Sequence, residues 1–349
     1  MRATNGRAAA VDEVVLDVRD LRVQFPTRRG LLTAVDGVSF QVRRGETLGL
    51  VGESGCGKTV TGLSILRLVE QPGRISGGQI LFHGEDLLAK SEREMRRLRG
   101  DAISMIFQDP TVTLNPVLRI SEQMTEVLRY HRGMRRSEAR ERCVELLRLV
   151  GIPNPEERLD HYPHEFSGGM QQRVIIAIAL ALEPALLLAD EPTTALDVTV
   201  QAQIIDLLKR LKRERAGSMV LITHDLGVVA QLCDRVAVMY AGSIVEVAPL
   251  REILEQPLHP YTRGLLDCVP RLDTGGRRLR AIPGVVPDLV APPRGCRFQP
   301  RCEAALEHCQ ARRPRLVEVA PEHFVACYLY PQVLAAEERS DGVPQAVHP

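Results

Sequence analysis

A glycine-rich segment between a strand and a helix sets the strongest limit on how this chain can fold. Residues 52–59 read Gly-Glu-Ser-Gly-Cys-Gly-Lys-Thr and match the pattern G-x-x-x-x-G-K-[ST]. The apolar residues 47–51 predict a strand before the segment, and apolar spacing over 59–68 predicts a helix after it. Glycines allow successive backbone N–H groups to turn towards phosphate oxygens, and a helix N-terminus adds partial positive charge. The segment therefore predicts a phosphate-binding loop.

Two side chains of this loop suit a nucleotide with its magnesium ion. Lys58 can bridge the β and γ phosphates, and the Thr59 hydroxyl can bind Mg²⁺. Cys56 has no base beside it, so we interpret it as a spacer rather than a nucleophile. A chance glycine-rich turn is the alternative, and the predicted strand and helix argue against it. The predicted nucleotide-binding residues of the loop are Gly52, Glu53, Ser54, Gly55, Cys56, Gly57, Lys58 and Thr59.

A second segment ends in two adjacent carboxylates. Residues 186–189 are apolar and are followed by Asp190 and Glu191. Adjacent acids at the C-terminal end of a strand are unfavourable unless a cation or a reaction uses them. Asp190 suits the water shell of Mg²⁺, and Glu191 suits the polarisation of an attacking water. A solvated loop is the alternative, and the phosphate loop elsewhere in the chain weighs against it.

A Ser-Gly-Gly sequence precedes the apolar residues 174–182, for which we predict a helix. Ser167, Gly168 and Gly169 would expose several N–H donors at the start of this helix with little steric cover. Such a helix start suits an anion. On its own it could equally be an N-cap with a flexible entry.

The order of the predicted elements indicates an α/β fold. Residues 14–42 alternate in polarity and predict a small antiparallel sheet. Residues 119–150 predict a helical insertion, after which Pro153, Pro155 and Pro163 interrupt the helical pattern. Further strands alternate with helices, which implies a mostly parallel sheet; these strands are predicted at 47–51, 185–189, 220–223 and 236–239. We predict a disordered N-terminus (1–13), a nucleotide-binding domain (14–255) and a C-terminal extension (256–349).

Composition argues against a nucleic-acid-binding, a secreted or a membrane-spanning protein. Lys and Arg number 45 and Asp and Glu 44, so there is no net charge to attract nucleic acid or an anionic membrane. Residues 1–13 lack the apolar segment of a signal peptide, which predicts a cytoplasmic location. The longest apolar stretch, residues 174–182, is too short to span a bilayer. We therefore expect a chain that does not cross a membrane by itself.

Half of the eight cysteines lie in the last fifth of the chain. A cytoplasmic location argues against a disulfide framework. The spacing C-x5-C-x6-C-x17-C differs from the C-x2-4-C pairs that are commoner at zinc sites, and four thiolates could also hold an iron-sulfur cluster. A cluster, a zinc ion and reduced structural thiols are all open interpretations. These residues are Cys296, Cys302, Cys309 and Cys327.

Taken in order, these segments resemble the motif set of ABC ATPases over about residues 16–247. The set consists of the phosphate loop, Gln108, the Ser-Gly-Gly sequence, the Asp190-Glu191 pair, Asp197 and His224. The resemblance implies a P-loop NTPase (RecA-like) core with an antiparallel β subdomain, a helical ABC subdomain and a small cysteine-containing C-terminal extension. It also implies that two such domains pack head to tail, with each ATP between the phosphate loop of one and the Ser-Gly-Gly sequence of the other.

The same resemblance implies a role for each motif residue. Phe25 would stack on adenine, and Gln108 would sense Mg²⁺ and link to the membrane partner. Glu191 would be the catalytic base, His224 would hold the γ phosphate, and Asp197 would lie at the dimer interface. Thr59, Gln108 and Asp190 would form the magnesium site. The residues that would act on the nucleotide of the second domain are Ser167, Gly168 and Gly169, and Gln171 of the same segment joins the predicted nucleotide-binding residues.

Finer features resemble the oligopeptide and dipeptide importers within this family. These are residues 109–116 and 191–203, with 259–262, 282–287 and 295–302 of the tail. Met170 after Ser-Gly-Gly is similar to the D-type ATPase subunit rather than the F-type. The group also includes nickel and glutathione importers, so a related solute is the alternative cargo.

Membership of this group implies the partners and cofactors. The partners would be two transmembrane permease subunits, a second ATPase that is an F-type sibling or another copy, and an extracytoplasmic solute-binding protein, with no nucleic acid. The location would be peripheral, on the cytoplasmic face of the inner membrane. The cofactors would be ATP, Mg²⁺ and a [4Fe-4S] cluster on the four tail cysteines, with zinc as the alternative.

Two other kinds of ABC-type protein are alternatives. A soluble ATPase acting on DNA or ribosomes usually has a tandem second domain, a long coiled coil or a basic surface, and none of these is visible in the sequence. A regulatory relative that does not hydrolyse ATP is the other. The presence of Glu191 and of an intact Ser-Gly-Gly sequence argues against it.

Overall fold

The computed structural model describes residues 13–194, 196–215, 217–268 and 281–340. All of the predicted disordered N-terminus (1–13) except Glu13 therefore lies outside the described residues, as does Ala195. The strands are β1 Val14–Thr27, β2 Gly30–Arg43, β3 Thr47–Val51, β4 Arg74–Phe82, β5 Glu85–Asp86, β6 Ile103–Ile106, β7 Leu186–Asp190, β8 Ser218–Thr223, β9 Arg235–Tyr240, β10 Ser243–Pro249, β11 Val317–Ala320 and β12 His323–Val325.

Thirteen α-helices are described in these residues. They are α1 Lys58–Ile65, α2 Glu92–Leu98, α3 Pro110–Thr113, α4 Ile120–Arg132, α5 Arg136–Leu149, α6 Pro155–Arg158, α7 Gly168–Ala179, α8 Val198–Arg215, α9 Leu226–Leu232, α10 Leu250–Glu255, α11 Pro260–Asp267, α12 His308–Ala311 and α13 Pro331–Ser340. Single 3-10 turns lie at Leu87–Ala89, Pro163–Glu165 and Gln299–Arg301.

The chain divides into two compact units. The first unit comprises the described parts of Met1–Val15, Arg43–Glu46 and Ala89–Leu221. The second unit comprises the described parts of Leu16–Val42, Thr47–Leu88 and Ile222–Pro349. Neither unit is continuous in sequence, because the chain passes between them several times.

The second unit contains two sheets. One is a four-stranded sheet in the order β2-β1-β4-β5, which confirms the antiparallel sheet predicted for residues 14–42. In the other, β3 pairs in parallel with β9, β9 pairs antiparallel with β10, and β12 and β11 of the tail continue the sheet beyond β10. All residues of β3 and β9 are buried. Gly49 of β3 lets α9 approach closely, because a β-carbon there would lie 2.8 Å from the Cys233 sulfur.

The first unit combines buried parallel strands with a group of helices. In it β8 lies beside β7, and β7 pairs in parallel with β6, with Ile106 opposite Ala189. Helix α4 packs against α5, and α5 packs against α7. Gly133, in the left-handed region with φ of 63°, ends α4 before α5 begins. The helical insertion predicted for residues 119–150 is therefore present as two helices.

A fully buried carboxylate lies on β10 of the second unit. Glu246 accepts hydrogen bonds from the backbone N–H groups of Leu258 (2.7 Å) and His259 (2.9 Å), and the His323 Nε2 atom lies 2.8 Å from it. Burial alone would raise the pKa of Glu246, but the hydrogen bonds from His323 and from these N–H groups hold it below its ordinary value. Its partners come from before α11 and from β12, so this buried group joins the tail to β10.

His259 is buried beside this group and is neutral in the folded chain. Its Nδ1 atom accepts a hydrogen bond from the Tyr261 N–H group at 3.0 Å, and burial lowers its pKa from 6.5 to about 4. The unfolded chain therefore binds one more proton than the folded chain between these pH values. The contribution of neutral His259 to the stability of the folded chain is therefore complete above pH 6.5 and is lost as pH falls towards 4.

We predict that His259→Asn flattens the pH dependence of stability in this range. Asparagine can still accept the hydrogen bond but does not titrate, so up to about 3 kcal/mol of acid destabilisation should disappear. Urea denaturation midpoints measured from about pH 4.5 to 7 check this. His83→Asn, in the exposed turn between β4 and β5, is the control and should keep the original slope. An unchanged slope in the His259 variant would contradict the prediction.

Candidate functional site

The phosphate loop joins β3 to α1 in the second unit, and its backbone requires glycine. Gly55 and Gly57 lie in the left-handed region, with φ of 76° and 102°. A β-carbon at Gly57 would lie 2.4 Å from the Ala34 carbonyl oxygen, whereas at Gly55 it would meet nothing within 4 Å. At Gly52 it would lie 2.1 Å from the Met239 carbonyl oxygen. Close contact with neighbouring backbone therefore explains two of these glycines, and conformation alone explains the third.

Lys58 lies at the first position of α1, and its side chain turns back over the loop. The residue is 5% exposed, and its ammonium donates to the carbonyl oxygens of Gly52 (2.8 Å) and Glu53 (3.1 Å). The ammonium and the helix N-terminus are thus combined at one place. Both favour the negative charge of nucleotide phosphates. Thr59, the next residue, is exposed.

Cys56 is a buried residue of the same loop. Its sulfur lies 3.8 Å from the Lys58 Nζ atom, and burial raises the pKa of the thiol although Lys58 acts in the opposite direction. A buried thiol with a raised pKa is a poor nucleophile. Cys56 is therefore a buried thiol beside Lys58, and its interpretation as a spacer stays a prediction.

Two further predicted residues of the second unit lie outside the loop. His224 follows β8 directly and is exposed, and the next residue, Asp225, caps α9 by accepting from the Gly227 N–H group at 2.7 Å. Phe25 lies on β1, half-buried, with its ring against Gly73, where a β-carbon would lie 2.3 Å from the ring. The roles of His224 and Phe25 stay predictions.

In the first unit the parallel pairing of β6 and β7 brings two predicted residues together. Gln108 follows β6 and Glu191 follows β7 at the same edge of the sheet, and the Gln108 Nε2 atom donates to Glu191 Oε2 at 3.3 Å. The Thr194 hydroxyl donates to the same oxygen at 2.7 Å. Thr194 was not among the predicted site residues, although it lies within the segment after Glu191 that carries the resemblance. One oxygen of the Glu191 carboxylate is therefore held by two donors.

The two carboxylates predicted for catalysis differ in their surroundings. Asp190, the last residue of β7, is 2% exposed, whereas Glu191 is half-buried. Glu191 also has a φ of 44°, in the left-handed region that residues other than glycine rarely adopt. Such a conformation costs on the order of 1 kcal/mol and occurs most often at functional sites. This strain turns the backbone sharply immediately after Asp190.

The Ser-Gly-Gly sequence forms the start of α7 in the first unit. Ser167 is exposed and caps the helix, with its hydroxyl accepting from the Met170 N–H group at 3.4 Å. Gly169 permits close packing against α8, because a β-carbon there would lie 2.5 Å from Val200. Gly168 is exposed at the helix start. Ser167 is thus the N-cap of α7, and a role of this segment towards an anion stays a prediction.

The other two predicted residues of this region also have local partners. Gln171 donates from its side-chain amide to the Pro163 carbonyl oxygen at 2.8 Å, which holds the chain that leads into α7. Asp197 is exposed and accepts from the Val200 N–H group at 2.9 Å, at the start of α8. A role for either residue towards a second molecule stays a prediction.

Two residues from the C-terminal part of the chain contact the phosphate loop and were not among the predicted site residues. The Arg301 guanidinium donates to both carboxylate oxygens of Glu53, at 2.7 and 3.1 Å. The Tyr261 hydroxyl accepts from the Glu53 N–H group at 2.9 Å. No local pattern signals these contacts, because more than 200 residues separate the partners in sequence, 248 for Arg301 and 208 for Tyr261.

Three of the four tail cysteines lie in or against one apolar cluster. Cys309 and Cys327 are buried with Val325, Tyr328 and Val333, and Cys296 packs against this group. Burial raises the pKa of Cys327 to about 11, and charge on Cys296, Cys302 and Cys309 adds to the increase. Within the described residues, however, no group of three or more His, Cys, Asp or Glu side chains is arranged to hold a metal ion. The [4Fe-4S] cluster and the zinc ion therefore stay predictions.

Comparisons with known proteins agree with the geometry. Residues 35–194 match the family model described as "ABC transporter", and residues 245–309 match "Oligopeptide/dipeptide transporter, C-terminal region". The dipeptide transport ATP-binding protein DppD of Bacillus subtilis is 51% identical over 321 residues, which cover 92% of this chain and 96% of the relative. This chain belongs to the ATP-binding proteins of the ABC transporter family. The predicted family and branch are confirmed.

Further comparisons extend the similarity of this ABC ATPase. The oligopeptide transport ATP-binding protein OppD of Salmonella typhimurium is 52% identical over 315 residues, or 90% of this chain and 93% of the relative. A solved dimeric, post-hydrolysis structure of the ATP-binding cassette MJ0796 bound to ADP and Pi has a TM-score of 0.61 and 29% identity, and covers 68% of this chain and 99% of that one. The predicted cassette fold is confirmed.

Family membership establishes the activity class of this chain. This ABC ATPase is an ATP-binding and ATP-hydrolysing subunit of a transporter. Among the helices described, none is both long and apolar enough to cross a membrane.

We predict that alanine at Gly57 and at Gly55 affects ATP binding very differently. Gly57→Ala adds a clash with the Ala34 carbonyl to an unfavourable φ, so affinity for ATP should fall about a hundredfold. Gly55→Ala has open space and only the unfavourable φ, so affinity should fall about fivefold. Equilibrium titration with ATP measures both, and thermal melts establish folding. Equal losses in the two variants would contradict this account of the loop.

Proposed function

We propose that this ABC ATPase hydrolyses ATP to energise the import of peptides across the cytoplasmic membrane. The match of residues 245–309 to the C-terminal region of oligopeptide and dipeptide transporters carries the proposal, because it concerns a part of the chain outside the match to the general ABC transporter model. Relatives named for dipeptide and oligopeptide transport, similar over 90% or more of the chain, support it. These names favour peptides over nickel or glutathione, and over a role on nucleic acid.

Each part of the proposed reaction has a group suited to it. Lys58 and the loop N–H groups bind the β and γ phosphates, and Thr59 and Asp190 bind Mg²⁺, which neutralises phosphate charge. Glu191 orients and polarises the attacking water, which accounts for the fixed position of its carboxylate between Gln108 and Thr194. The remaining predicted residues contact the nucleotide at its two ends: Phe25 stacks on adenine and His224 binds the γ phosphate.

The proposed working form is a pair of ATPase chains. Ser167, Gly168 and Gly169 of one chain contact the ATP held by the phosphate loop of the other, with Gln171 supporting the segment and Asp197 at the interface. The exposure of Ser167, Gly168 and Asp197 supports this arrangement, because residues that act on a second molecule must be accessible to it. The second ATPase is an F-type sibling or another copy of this chain.

The proposed assembly includes proteins within and outside the membrane. Two transmembrane permease subunits form the path for the peptide, and Gln108 and the helices of the first unit transmit the ATPase cycle to them. An extracytoplasmic solute-binding protein delivers the peptide. The chain itself is peripheral on the cytoplasmic face, and the cargo is selected by the other subunits.

We predict that Glu191→Gln abolishes turnover but keeps ATP binding. The amide retains the size of the side chain and a partner for Gln108 and Thr194 but cannot polarise water, so hydrolysis should fall at least about a hundredfold. ATPase rate, ATP affinity and uptake of a labelled peptide into vesicles containing the whole transporter measure the effect. Glu214→Gln, at an exposed position of α8, is the matched control. Hydrolysis at the original rate in the Glu191 variant would refute the role assigned to Glu191. If the original transporter hydrolyses ATP but takes up no peptide, the proposal that peptides are the cargo is refuted.

We also propose that Cys296, Cys302, Cys309 and Cys327 bind a [4Fe-4S] cluster, with zinc as the alternative. The donor set supports this: Cys296, Cys309 and Cys327 lie in or against one apolar cluster, and burial together with charge on the other three cysteines disfavours the Cys327 thiolate unless a cation compensates. Their present arrangement lacks a ready metal geometry, so binding requires the thiols to move together.

Metal analysis of the chain purified without oxygen tests this assignment. We expect about four iron and four acid-labile sulfide per chain, with loss of both in Cys309→Ser. Cys268→Ser, at an exposed cysteine outside the group, should retain them. One zinc per chain would favour the alternative, and a chain free of both metals would refute metal binding.

A further inference from the structure

Glu53, the second residue of the phosphate loop, has each of its polar groups held by a partner. Its N–H group donates to the Tyr261 hydroxyl, and its carboxylate receives both hydrogen bonds from Arg301. Its carbonyl oxygen accepts from the Lys58 ammonium at 3.1 Å. Two of these partners come from the C-terminal part of the chain, and the third is the residue assigned to the phosphates.

The contact with Tyr261 sets the direction of a neighbouring carbonyl. The Glu53 N–H group and the Gly52 carbonyl belong to one peptide unit, which is planar and trans. When the N–H group points to the Tyr261 hydroxyl, the Gly52 carbonyl must point to the opposite side, where it accepts from Lys58 at 2.8 Å. Tyr261 thus acts on Lys58 through a rigid peptide plane.

The contact with Arg301 fixes the next peptide unit and also balances charge. By holding the Glu53 side chain, the guanidinium fixes the residue whose carbonyl is the second acceptor of Lys58. A carboxylate beside a phosphate site would repel the nucleotide unless a cation neutralises it. Arg301 is the cation that pairs with Glu53 in this structure.

Arg301 is itself rigidly held. Its side chain is 4% exposed, and it donates to the carbonyl oxygen of Pro283 at 2.8 Å and to the Tyr240 hydroxyl at 3.3 Å. Tyr240 packs against Tyr261 with ring centroids 4.5 Å apart. The two residues that hold Glu53 therefore share one buried, aromatic support.

We propose that Arg301 and Tyr261 are positioning residues for nucleotide binding, which hold Glu53 so that Lys58 and the loop are ready to receive phosphates. This inference rests on the proposed ATP binding at the loop and adds a control of affinity by the C-terminal part of the chain. It requires no particular occupant of the cysteines.

The test is a double-substitution cycle on the full-length chain, with ATP affinity measured by equilibrium titration. Arg301→Met leaves an unpaired carboxylate beside the loop, so affinity should fall about tenfold. In the Glu53→Gln background that carboxylate is absent, so the same substitution should lower affinity less than about twofold further. Tyr261→Phe keeps the ring but removes the acceptor, and affinity should fall about threefold or more.

Matched controls separate positioning from general destabilisation. Arg251→Met breaks an exposed pair with Glu255, and Tyr130→Phe removes an exposed hydroxyl, so both should bind ATP as the original chain does. Melting temperatures without nucleotide are measured in parallel. Unchanged affinity in Arg301→Met and Tyr261→Phe, or additive effects of the Glu53 and Arg301 substitutions, would overturn the inference. If the original chain fails to bind ATP, the proposed function itself is overturned.

Discussion

The structure depends on how closely the backbone can approach itself around the phosphate loop. A glycine-rich loop that binds phosphate through its N–H groups has few side chains to fill the space around it. The main chain of neighbouring segments must therefore pack directly against the loop. The carbonyl oxygens of Ala34 and Met239 do so here, at distances that exclude any β-carbon at Gly57 and Gly52. The strand pairing of β3 with β9 and the start of α1 are both arranged around this contact.

In the first unit, the backbone fixes the positions of charged and polar side chains. Parallel pairing in register places the ends of β6 and β7 side by side, so that Gln108 and Glu191 meet without any long loop between them. The left-handed backbone at Glu191 then separates the directions of two successive carboxylates. One is buried at the end of the strand, and the other is held where Thr194 and Gln108 can orient it.

Local sequence was sufficient for much of this arrangement. The strand at 47–51 was predicted with its observed bounds, because a short apolar run that ends in the glycine pattern has few alternatives. The pairing of Glu53 with Arg301, and the addition of β12 to β10, could not be predicted, because such contacts depend on how distant segments fold together and leave no periodic signal. The cysteines illustrate the same limit, since spacing alone does not define how closely four sulfur atoms approach.

The addition of the tail strands to the second unit has a consequence for the solubility of the chain. Strand β10 is paired with β9 along one side and with β12 along the other, where Glu246 lies opposite Val325 and Val247 opposite Phe324. A strand edge left open invites pairing with other molecules, and an apolar strand does so most readily. Every residue of β10 except Pro249 is buried. Proteolytic removal of the chain from β11 onward would therefore expose the unpaired edge of β10. Shortened fragments of this protein would be prone to aggregate through that edge.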